Sequence, residues 1–206
     1  MILRFIGYLF GIGTLFFVLA AAAVAMYIGQ VSEDLPDIEV LASYEPAVTT
    51  RIYSTDGRLM QEYATERRLY LPIQAVPDRV KQAFISAEDK NFYSHNGIDY
   101  MAFANAGFNY VKAKVTGSGA RARGASTITQ QTTKNFLLTS ERTVDRKIKE
   151  AILAMRIEGT FTKDQILELY LNEIYFGLGA YGIAGAALAY YRSEEHTSEL
   201  QSLTNL

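Results

Sequence analysis

The first segment with residue types suited to catalysis begins with two adjacent carboxylates. The run from Glu88 to Gly97 also carries an aromatic ring at Phe92 and an imidazole at His95. It falls where a predicted helix passes into a loop, and such loops commonly hold catalytic groups. Glu88 is ionised at neutral pH and could serve as a general base. The alternatives are an ordinary solvated acid for Glu88 and, as the favoured role of His95, a hydrogen bond that fixes the loop.

Hydroxyl and amide side chains begin the second candidate segment, which runs from Gly124 to Gln131 and is followed by Lys134. We predict that Ser126 caps a helix continuing to Leu138. The unpaired N–H groups and the dipole at the start of a helix favour an anion. A polar helix with a good cap and no ligand explains the same residues equally well, so the physics leaves both interpretations open.

A third segment carries a cationic helix face. Arg142, Arg146 and Glu150 recur every four residues, with Lys147 beside them. Such a face is ordinarily solvated, with an ion pair of ~0.3 kcal/mol. Together with Lys134 it could instead hold a pyrophosphate, because arginine makes bidentate contacts to phosphate oxygens and lysine adds a compact charge.

The elements that must position these residues are mostly helices. Four helical patterns are indicated. Two of them cover Met101–Val115 and Glu141–Ile157. A third begins at Pro77 and ends at Glu88, and the fourth begins with a capping box formed by Thr162 and Gln165. The 141–157 helix has an apolar stripe that we expect to face the core. The stripe comprises Val144, Ile148, Ala151 and Met155.

The remaining segments complete a mainly α domain. Thr50–Tyr63 is predicted to form a β-hairpin around a Thr-Asp-Gly turn, and β structure is expected to end near there. The stretch from Thr116 to Ala125 is a glycine-rich basic loop. Ala180–Tyr191 could form a tightly packed helix of small residues.

The N-terminus carries an apolar run long enough to cross a membrane. Phe5 to Ile28 is 24 residues without a charge, which spans ~36 Å as a helix against a hydrocarbon core of ~30 Å. Arg4 precedes the run and acidic residues follow it, so the N-terminus is expected to stay cytoplasmic. A cleaved signal peptide is the alternative, with small-residue sites at 21–25, but the run exceeds the ~7 to 15 residues of a signal h-region.

The predicted organisation is therefore an anchor at 1–30, an acidic linker at 31–48, a domain at 49–191 and a separate tail at 192–206.

The composition excludes several kinds of site. The 20 basic and 22 acidic residues give no nucleic-acid signature, and the chain has no cysteine, which excludes thiolate nucleophiles and thiolate metal sites. The two histidines, His95 and His196, make no metal-ligand spacing.

Four motifs in this order resemble the peptidoglycan glycosyltransferases of class A penicillin-binding proteins and of monofunctional transglycosylases. The first resembles E-D-x-x-F-x-x-H-x-G at 88–97, and the second G-x-S-T-I-T-Q-Q at 124–131. The third resembles R-K-x-x-E at 146–150, and the fourth K-x-x-I-L-E-x-Y-L-N at 163–172. Four long motifs behind an anchor form a specific pattern, and the resemblance extends from the anchor to about Tyr191.

The resemblance implies a mainly α, lysozyme-like domain with a cleft between a larger lobe and a smaller, membrane-facing one. It implies polymerisation of lipid II into glycan strands, with Glu88 as the general base toward the acceptor's 4-hydroxyl and Glu150 as a second acid. The implied substrate-binding residues are Asp89, Phe92, His95, Thr127, Gln131, Lys134, Arg142, Arg146 and Lys147. Glu150 would either bind a divalent cation, Mg²⁺ or Mn²⁺, or hold the basic residues in place, and no organic cofactor is implied.

The fourth motif is expected to support the site, with Glu168 as a buttress of the cleft. The implied partners are lipid II, the growing strand, membrane lipid and other cell-wall synthesis proteins, without nucleic acid. The implied location is the cell (inner) membrane, with the domain on its outer side.

The chain departs from the family's pattern after Tyr191. The polar stretch 192–206 resembles cloning or adapter sequence joined to a truncated reading frame, and such a truncation can leave a polypeptide poorly folded or inactive. Two other functions compete with the transferase. A glycan-cleaving enzyme of lysozyme-like fold would also use an acid in a cleft, and a noncatalytic membrane scaffold would need no intact Glu88.

Overall fold

A computed structural model of the chain describes residues 2–42, 44, 50–63, 67–117, 125–139, 141 and 143–191. Within these ranges the protein is mainly helical, with a short hairpin near the start of the domain and one apolar N-terminal helix, as the sequence predicts. Gly124, Arg142 and the stretch 192–206 lie outside the described residues, so the predictions for them have no structural counterpart here.

The N-terminal helix α1 extends over Ile2–Glu33. Its segment Phe10–Glu33 is long and apolar enough to cross a membrane by length and composition. The helix runs beyond the predicted anchor boundary at residue 30, and its end contacts the domain, where the Tyr27 hydroxyl donates a hydrogen bond to Asp145. The acidic segment that follows is not only a spacer: it includes a 3-10 turn over Ile38–Leu41, and Leu41 is buried in the domain core.

The predicted hairpin is present as β1, Thr50–Tyr53, and β2, Leu59–Tyr63, which pair antiparallel. Its turn places Gly57 at φ +81°, a left-handed conformation that glycine adopts without strain. The expectation that β structure ends there is wrong. A second small sheet joins β3, Arg67–Arg68, to β5, Ala180–Tyr181, and β5 to β4, Tyr175–Gly177. Strands of two or three residues are too short to give an alternating pattern in the sequence.

Six helices form the body of the domain in the ranges that the structure describes. They are α2 (Asp78–Glu88), α3 (Tyr100–Thr116), α4 (Ile128–Leu137), α5 (Val144–Thr160), α6 (Lys163–Glu173) and α7 (Gly182–Tyr191). Short 3-10 turns cover Ile73–Ala75 and Phe92–Ser94. The predicted capping box at Thr162 and Gln165 is confirmed for α6. The predicted cap of α4 is wrong by one residue, because Thr127 and not Ser126 forms the capping box, with Gln130.

The core is built around α4 and α6. Its fully buried side chains include Ile128, Ile166, Leu167 and Leu171, which pack with Ile157 from α5. The predicted core face of α5 is wrong. Val144 is 74% exposed and Met155 43% exposed, whereas Glu150, Leu153, Ala154 and Ile157 are buried. The inward face of the helix is therefore the one that carries Leu153 and Ile157. Glu150 is buried on that face, where its carboxylate pairs with basic side chains of the same helix.

Helix α3 differs from the others because it has no buried residue. Asp99 caps its start and Gly117 ends it in the left-handed conformation. Its outer face is apolar and exposed, with Tyr100, Phe108, Val111 and Val115 spaced at helical intervals. The opposite side carries Ala102 and Ala106, which are half-buried against the domain.

Candidate active site

The central pair of the site joins the first two motifs. Glu88 is the last residue of α2 and its side chain is exposed to solvent. The Gln131 side chain on α4 donates a hydrogen bond of 2.9 Å from Nε2 to Glu88 Oε2. The structure thus brings together two predicted site residues that lie 43 positions apart. The other carboxylate oxygen of Glu88 has no hydrogen-bond partner among the described residues.

Asp89 connects three parts of the chain. Its carboxylate accepts a hydrogen bond from the backbone N–H of Ile128 at 3.0 Å, at the first turn of α4, and lies 2.9 Å from His95 Nε2. The helix start therefore already holds an anion, and that anion is a side chain of the protein. His95 fixes this loop, as favoured from the sequence.

Three side chains of the first motif are buried beneath the surface of the site. Asp89 is 6% exposed and Phe92 is fully buried, and the His95 side chain is enclosed between them. The prediction that these side chains contact substrate is untested. In this structure their contacts are with the protein, so their role in holding the loop is the one the packing supports.

Thr127 is occupied by its own helix cap. Its hydroxyl donates to the Gly97 carbonyl at 2.6 Å and accepts from the Gln130 N–H at 3.1 Å, and the residue is 2% exposed. A contact of Thr127 with substrate stays a prediction. Gly97 sits at φ +87°, where a Cβ would lie 2.8 Å from the Ala154 carbonyl oxygen, so the close approach of this loop to α5 depends on glycine.

The third motif forms a buried ionic cluster at the side of α4. Glu150, 3% exposed, pairs with Lys147, and one of its oxygens lies 3.4 Å from Arg146 Nη1. Lys147 Nζ also donates to the Ser126 hydroxyl at 2.9 Å, directly before α4. The buried Arg146 Nε–H has no acceptor among the described residues. Glu150 therefore pairs with both cations of this motif, and Lys147 links the cluster to the residue directly before α4.

Lys134 completes the cationic set that the structure describes. It lies three residues after Gln131 on α4, so the two side chains share a helix face. Its side chain is exposed and forms no ion pair with any described carboxylate. It thus lies on the same side of α4 as the glutamine that bonds Glu88.

The described residues do not fit a divalent cation at Glu150. Both of its carboxylate oxygens face cationic side chains, which would repel Mg²⁺ or Mn²⁺. No group of three histidine, aspartate or glutamate side chains with metal-ligand geometry occurs in the described part of the chain. Of the two roles left open for Glu150, holding the basic residues in place is the one supported by these contacts.

The fourth motif supports the site from behind. Glu168 accepts hydrogen bonds from the Tyr70 hydroxyl and, at 2.6 Å, from the Ile73 N–H. Asn172 makes paired hydrogen bonds with the backbone of Leu71, at 2.8 and 2.9 Å. The bond to Glu168 and partial burial raise the pKa of Tyr70 to about 12, so this phenol stays protonated at physiological pH. Glu168 thus fixes the segment 70–73, and its role as a buttress of the cleft stays a prediction.

A second buried network was not anticipated from the sequence. Glu158 accepts a hydrogen bond of 2.5 Å from Thr129 and pairs at 2.7 Å with Lys163, whose ammonium lies 4.5 Å from the centre of the Phe92 ring. These contacts link α4, α5 and α6 behind the site. Glu158 lies eight residues after Glu150 on α5, and this spacing on one helix face was the signal that could have indicated it.

An open cavity of about 340 Å³ lies beside Glu88, between the end of α2, the polar side of α3 and the start of α4. Its walls include Glu88, Asn91, Asn105, Asn109 and Ser126. The volume lies in the range of small-molecule sites in proteins. None of the α3 residues of this wall was identified from the sequence, because a helix face and a cavity form only when the chain folds.

This geometry has counterparts among known proteins. A family model described as transglycosylase matches residues 56–205. The chain belongs to the transglycosylase family. The matched range covers the glutamate of the first motif, the capped polar helix and the ionic cluster. It also includes most of 192–206, the stretch interpreted above as a foreign tail, so the match gives that interpretation no support.

Individual relatives agree with the family model. The chain is 52% identical over 181 residues to penicillin-binding protein 1A of Rickettsia bellii, a match that covers 86% of this chain and 22% of the relative. It is 42% identical over 175 residues to penicillin-binding protein 1A of Aquifex aeolicus, covering 82% and 23%. It is 39% identical over 189 residues to penicillin-binding protein 1A of Escherichia coli, covering 92% and 22%. The chain spans about a fifth of the length of these curated relatives.

Proposed function

We propose that this chain is the membrane-anchored glycosyltransferase part of a peptidoglycan synthase and that it polymerises lipid II, the lipid-linked disaccharide, into glycan strands. The observation that carries the proposal is the joining of the first two motifs, where Gln131 holds the exposed carboxylate of Glu88 at a cavity mouth. Membership in the transglycosylase family supports the same reaction.

Glu88 is proposed as the general base. The exposed carboxylate takes the proton of the acceptor's 4-hydroxyl, and the hydroxyl oxygen forms a bond to the anomeric carbon of the donor sugar. The bond from that carbon to the lipid pyrophosphate breaks, and its electron pair leaves with the pyrophosphate. The hydrogen bond from Gln131 fixes the orientation of the Glu88 carboxylate and thereby the side from which it accepts the proton.

The leaving pyrophosphate needs stabilisation of negative charge. Lys134 is exposed on the same face of α4 as Gln131, and the Arg146 side chain is partly exposed beside Glu150. Both are proposed to contact pyrophosphate oxygens, with Lys147 beside them and Arg142 as a further candidate from the sequence. Glu150 is proposed to act indirectly, because it holds Arg146 and Lys147 in place.

The membrane is proposed to lie along α1 and the outer face of α3. The exposed apolar side chains of α3, including Phe108 and Val111, would be costly in water and are suited to the lipid interface. The acidic residues after the span and Arg4 before it favour an extracytoplasmic domain behind a single crossing of the cell (inner) membrane. Lipid II, the growing strand and membrane lipid are the proposed partners, and other cell-wall synthesis proteins are further candidates.

The test is polymerisation of lipid-linked disaccharide-peptide in detergent micelles by the chain, by its Glu88→Gln variant and by a Glu39→Gln control. Glu39 is an exposed carboxylate outside the site. Growing glycan from the chain and the control, with a loss of at least 100-fold in Glu88→Gln, is expected from removal of a general base. Polymer formed equally by all three would overturn the role of Glu88, and cleavage of preformed glycan without polymerisation would overturn the reaction.

A further inference from the structure

The cavity beside Glu88 has a polar wall that the reaction described above does not use. This wall is the side of α3 that faces the domain, where Asn105 and Asn109 lie one turn apart. Ala102 and Ala106 line the same cavity, and their short side chains leave room in front of the two amides. The cavity of about 340 Å³ is thus open to a ligand on the side nearest to the catalytic carboxylate.

The other polar groups of the cavity are already paired. Asp99 accepts from the Ala102 N–H at 2.8 Å and from the Asn91 amide at 2.7 Å, and Asp89 is bonded to Ile128 and His95. These bonds lower the pKa of Asp99, with the backbone bond from Ala102 as the main cause, so it remains charged. By contrast, the side chains of Asn105 and Asn109 have no hydrogen-bond partner among the described residues.

The charge of the cavity selects the kind of ligand. Its lining includes the carboxylates of Glu88, Asp89 and Asp99 against the single ammonium of Lys90. An anionic ligand is therefore disfavoured at this wall. A cation finds no set of free carboxylates here, because Asp89 and Asp99 are engaged. A neutral ligand rich in hydroxyl and amide groups matches the two free asparagines.

We propose that Asn105 and Asn109 form a carbohydrate-binding subsite that holds the acceptor sugar in front of Glu88. Residues four apart on a helix have Cβ atoms ~6 Å apart, and each amide offers two donors and one acceptor to sugar hydroxyl and acetamido groups. The assignment of the bound sugar as acceptor rests on the proposed function. The two asparagines act as specificity residues, and Glu88 remains the group that takes the proton.

The direct test is binding of a soluble sugar that has neither lipid nor pyrophosphate. The neutral disaccharide N,N′-diacetylchitobiose would be titrated into the full chain in detergent micelles and followed by ligand-observed NMR. Asn105→Ala and Asn109→Ala are each expected to weaken binding about 3- to 10-fold, the effect of one hydrogen bond. Alanine favours the helix at both exposed positions, so the fold is retained.

The matched control is Asn135→Ala, the same change at an exposed position of α4 outside the cavity wall. The control is expected to bind the disaccharide like the unchanged chain. Equal affinity of all variants, or no binding by the unchanged chain at saturating disaccharide, would overturn the subsite.

Polymerisation kinetics separate this inference from the proposed function. The asparagine variants are expected to raise KM for the lipid-linked acceptor 3- to 10-fold each while kcat changes less than 3-fold. Failure of the unchanged chain to polymerise would refute the proposed function, and the disaccharide titration would still decide the subsite. A loss in kcat with unchanged KM and unchanged disaccharide affinity would refute the subsite alone.

Discussion

Gln131 and Glu88 are held together by a hydrogen bond of 2.9 Å between the amide Nε2 and the carboxylate Oε2. The contact joins the end of α2 to the first turns of α4, and Asp89 bonds the same two helix ends directly through the Ile128 N–H. The carboxylate is therefore positioned by a neutral donor, which orients it without adding a positive charge beside it. This arrangement suits a base that must accept a proton from a sugar hydroxyl.

Replacing Gln131 by alanine is expected to reduce polymerisation without unfolding the chain. Hydrogen bonds to charged groups contribute ~1.5 to 3 kcal/mol, and solvent exposure places this one at the low end, so a loss of roughly 10-fold in kcat is expected. Initial rates on lipid-linked disaccharide would measure it. Gln82→Ala, the same change on an exposed part of α2, should keep the full rate. A Gln131→Ala enzyme as fast as this control would show that the bond does not orient the base.

Gly97→Ala is expected to destabilise the domain. The residue has φ +87°, and the new Cβ would meet the Ala154 carbonyl oxygen at 2.8 Å, against a backbone that cannot move aside. Strain of this kind costs ~1 to 3 kcal/mol, which lowers Tm by several degrees for a domain of this size. Thermal unfolding followed by circular dichroism measures the shift.

The control for that substitution is Gly107→Ala in helix α3, where no atom lies within 4 Å of the new Cβ. Alanine is the better helix former by ~1 kcal/mol, so this variant should unfold at the same or a higher temperature. Equal stability of the two variants would contradict the close contact between the loop and α5.

Glu150→Ala is expected to be strongly destabilising. The carboxylate is 3% exposed, and its removal leaves Arg146 and Lys147 without their common partner. Breaking a buried ion pair costs ~3 to 5 kcal/mol, and the partial exposure of Lys147 places the expected loss near 3 kcal/mol. Urea unfolding measures the change, and Glu141→Ala, at an exposed position, should leave the midpoint within error. A wild-type midpoint for Glu150→Ala would mean that the cluster contributes nothing to stability.

Asp99 is expected to make the domain acid-sensitive. Hydrogen bonds from the Ala102 N–H and from Asn91 lower its pKa from the ordinary value of 3.8. Because the folded pKa is the lower one, its stabilisation is fully present above about pH 4 and disappears as pH falls through the folded pKa. Asn at this position still caps α3 but does not titrate.

The stability gap between the unchanged chain and Asp99→Asn should therefore shrink as pH falls from 7 to 3. Urea unfolding at a series of pH values measures it. Asp78→Asn, a change at an exposed carboxyl at the start of α2, serves for comparison. A gap that stays constant over this range would contradict the assigned cause of acid sensitivity.

Helix α3 is expected to enter the lipid interface. The chain has no tryptophan, so Phe108→Trp places a single fluorophore on a side chain that is 69% exposed. In vesicles with brominated acyl chains, its fluorescence should be quenched relative to unbrominated vesicles. Tyr8→Trp, within the apolar helix α1, provides the positive control. Quenching at position 8 together with none at position 108 would place α3 in water.

The sequence by itself determined the helical class, the anchor and most element positions. Periodic apolar residues, the capping box at Thr162 and the turn at Gly57 are local signals, and each was sufficient because helix caps and tight turns depend on neighbours in the chain. The four motifs also identified the segments that carry the site. Short-range order of this kind can be derived from sequence alone.

Only the tertiary structure decided which side of α5 is buried. The apolar stripe with Val144 and Met155 was expected inside, yet the face with Leu153 is the buried one. Glu150 lies on that face, and its burial is possible because Lys147 of the same helix pairs with it. The same holds for the β3–β5–β4 sheet and for the Asn105 and Asn109 wall beside Glu88. Contacts between residues distant in the chain depend on how the elements pack, and no local pattern contains that information.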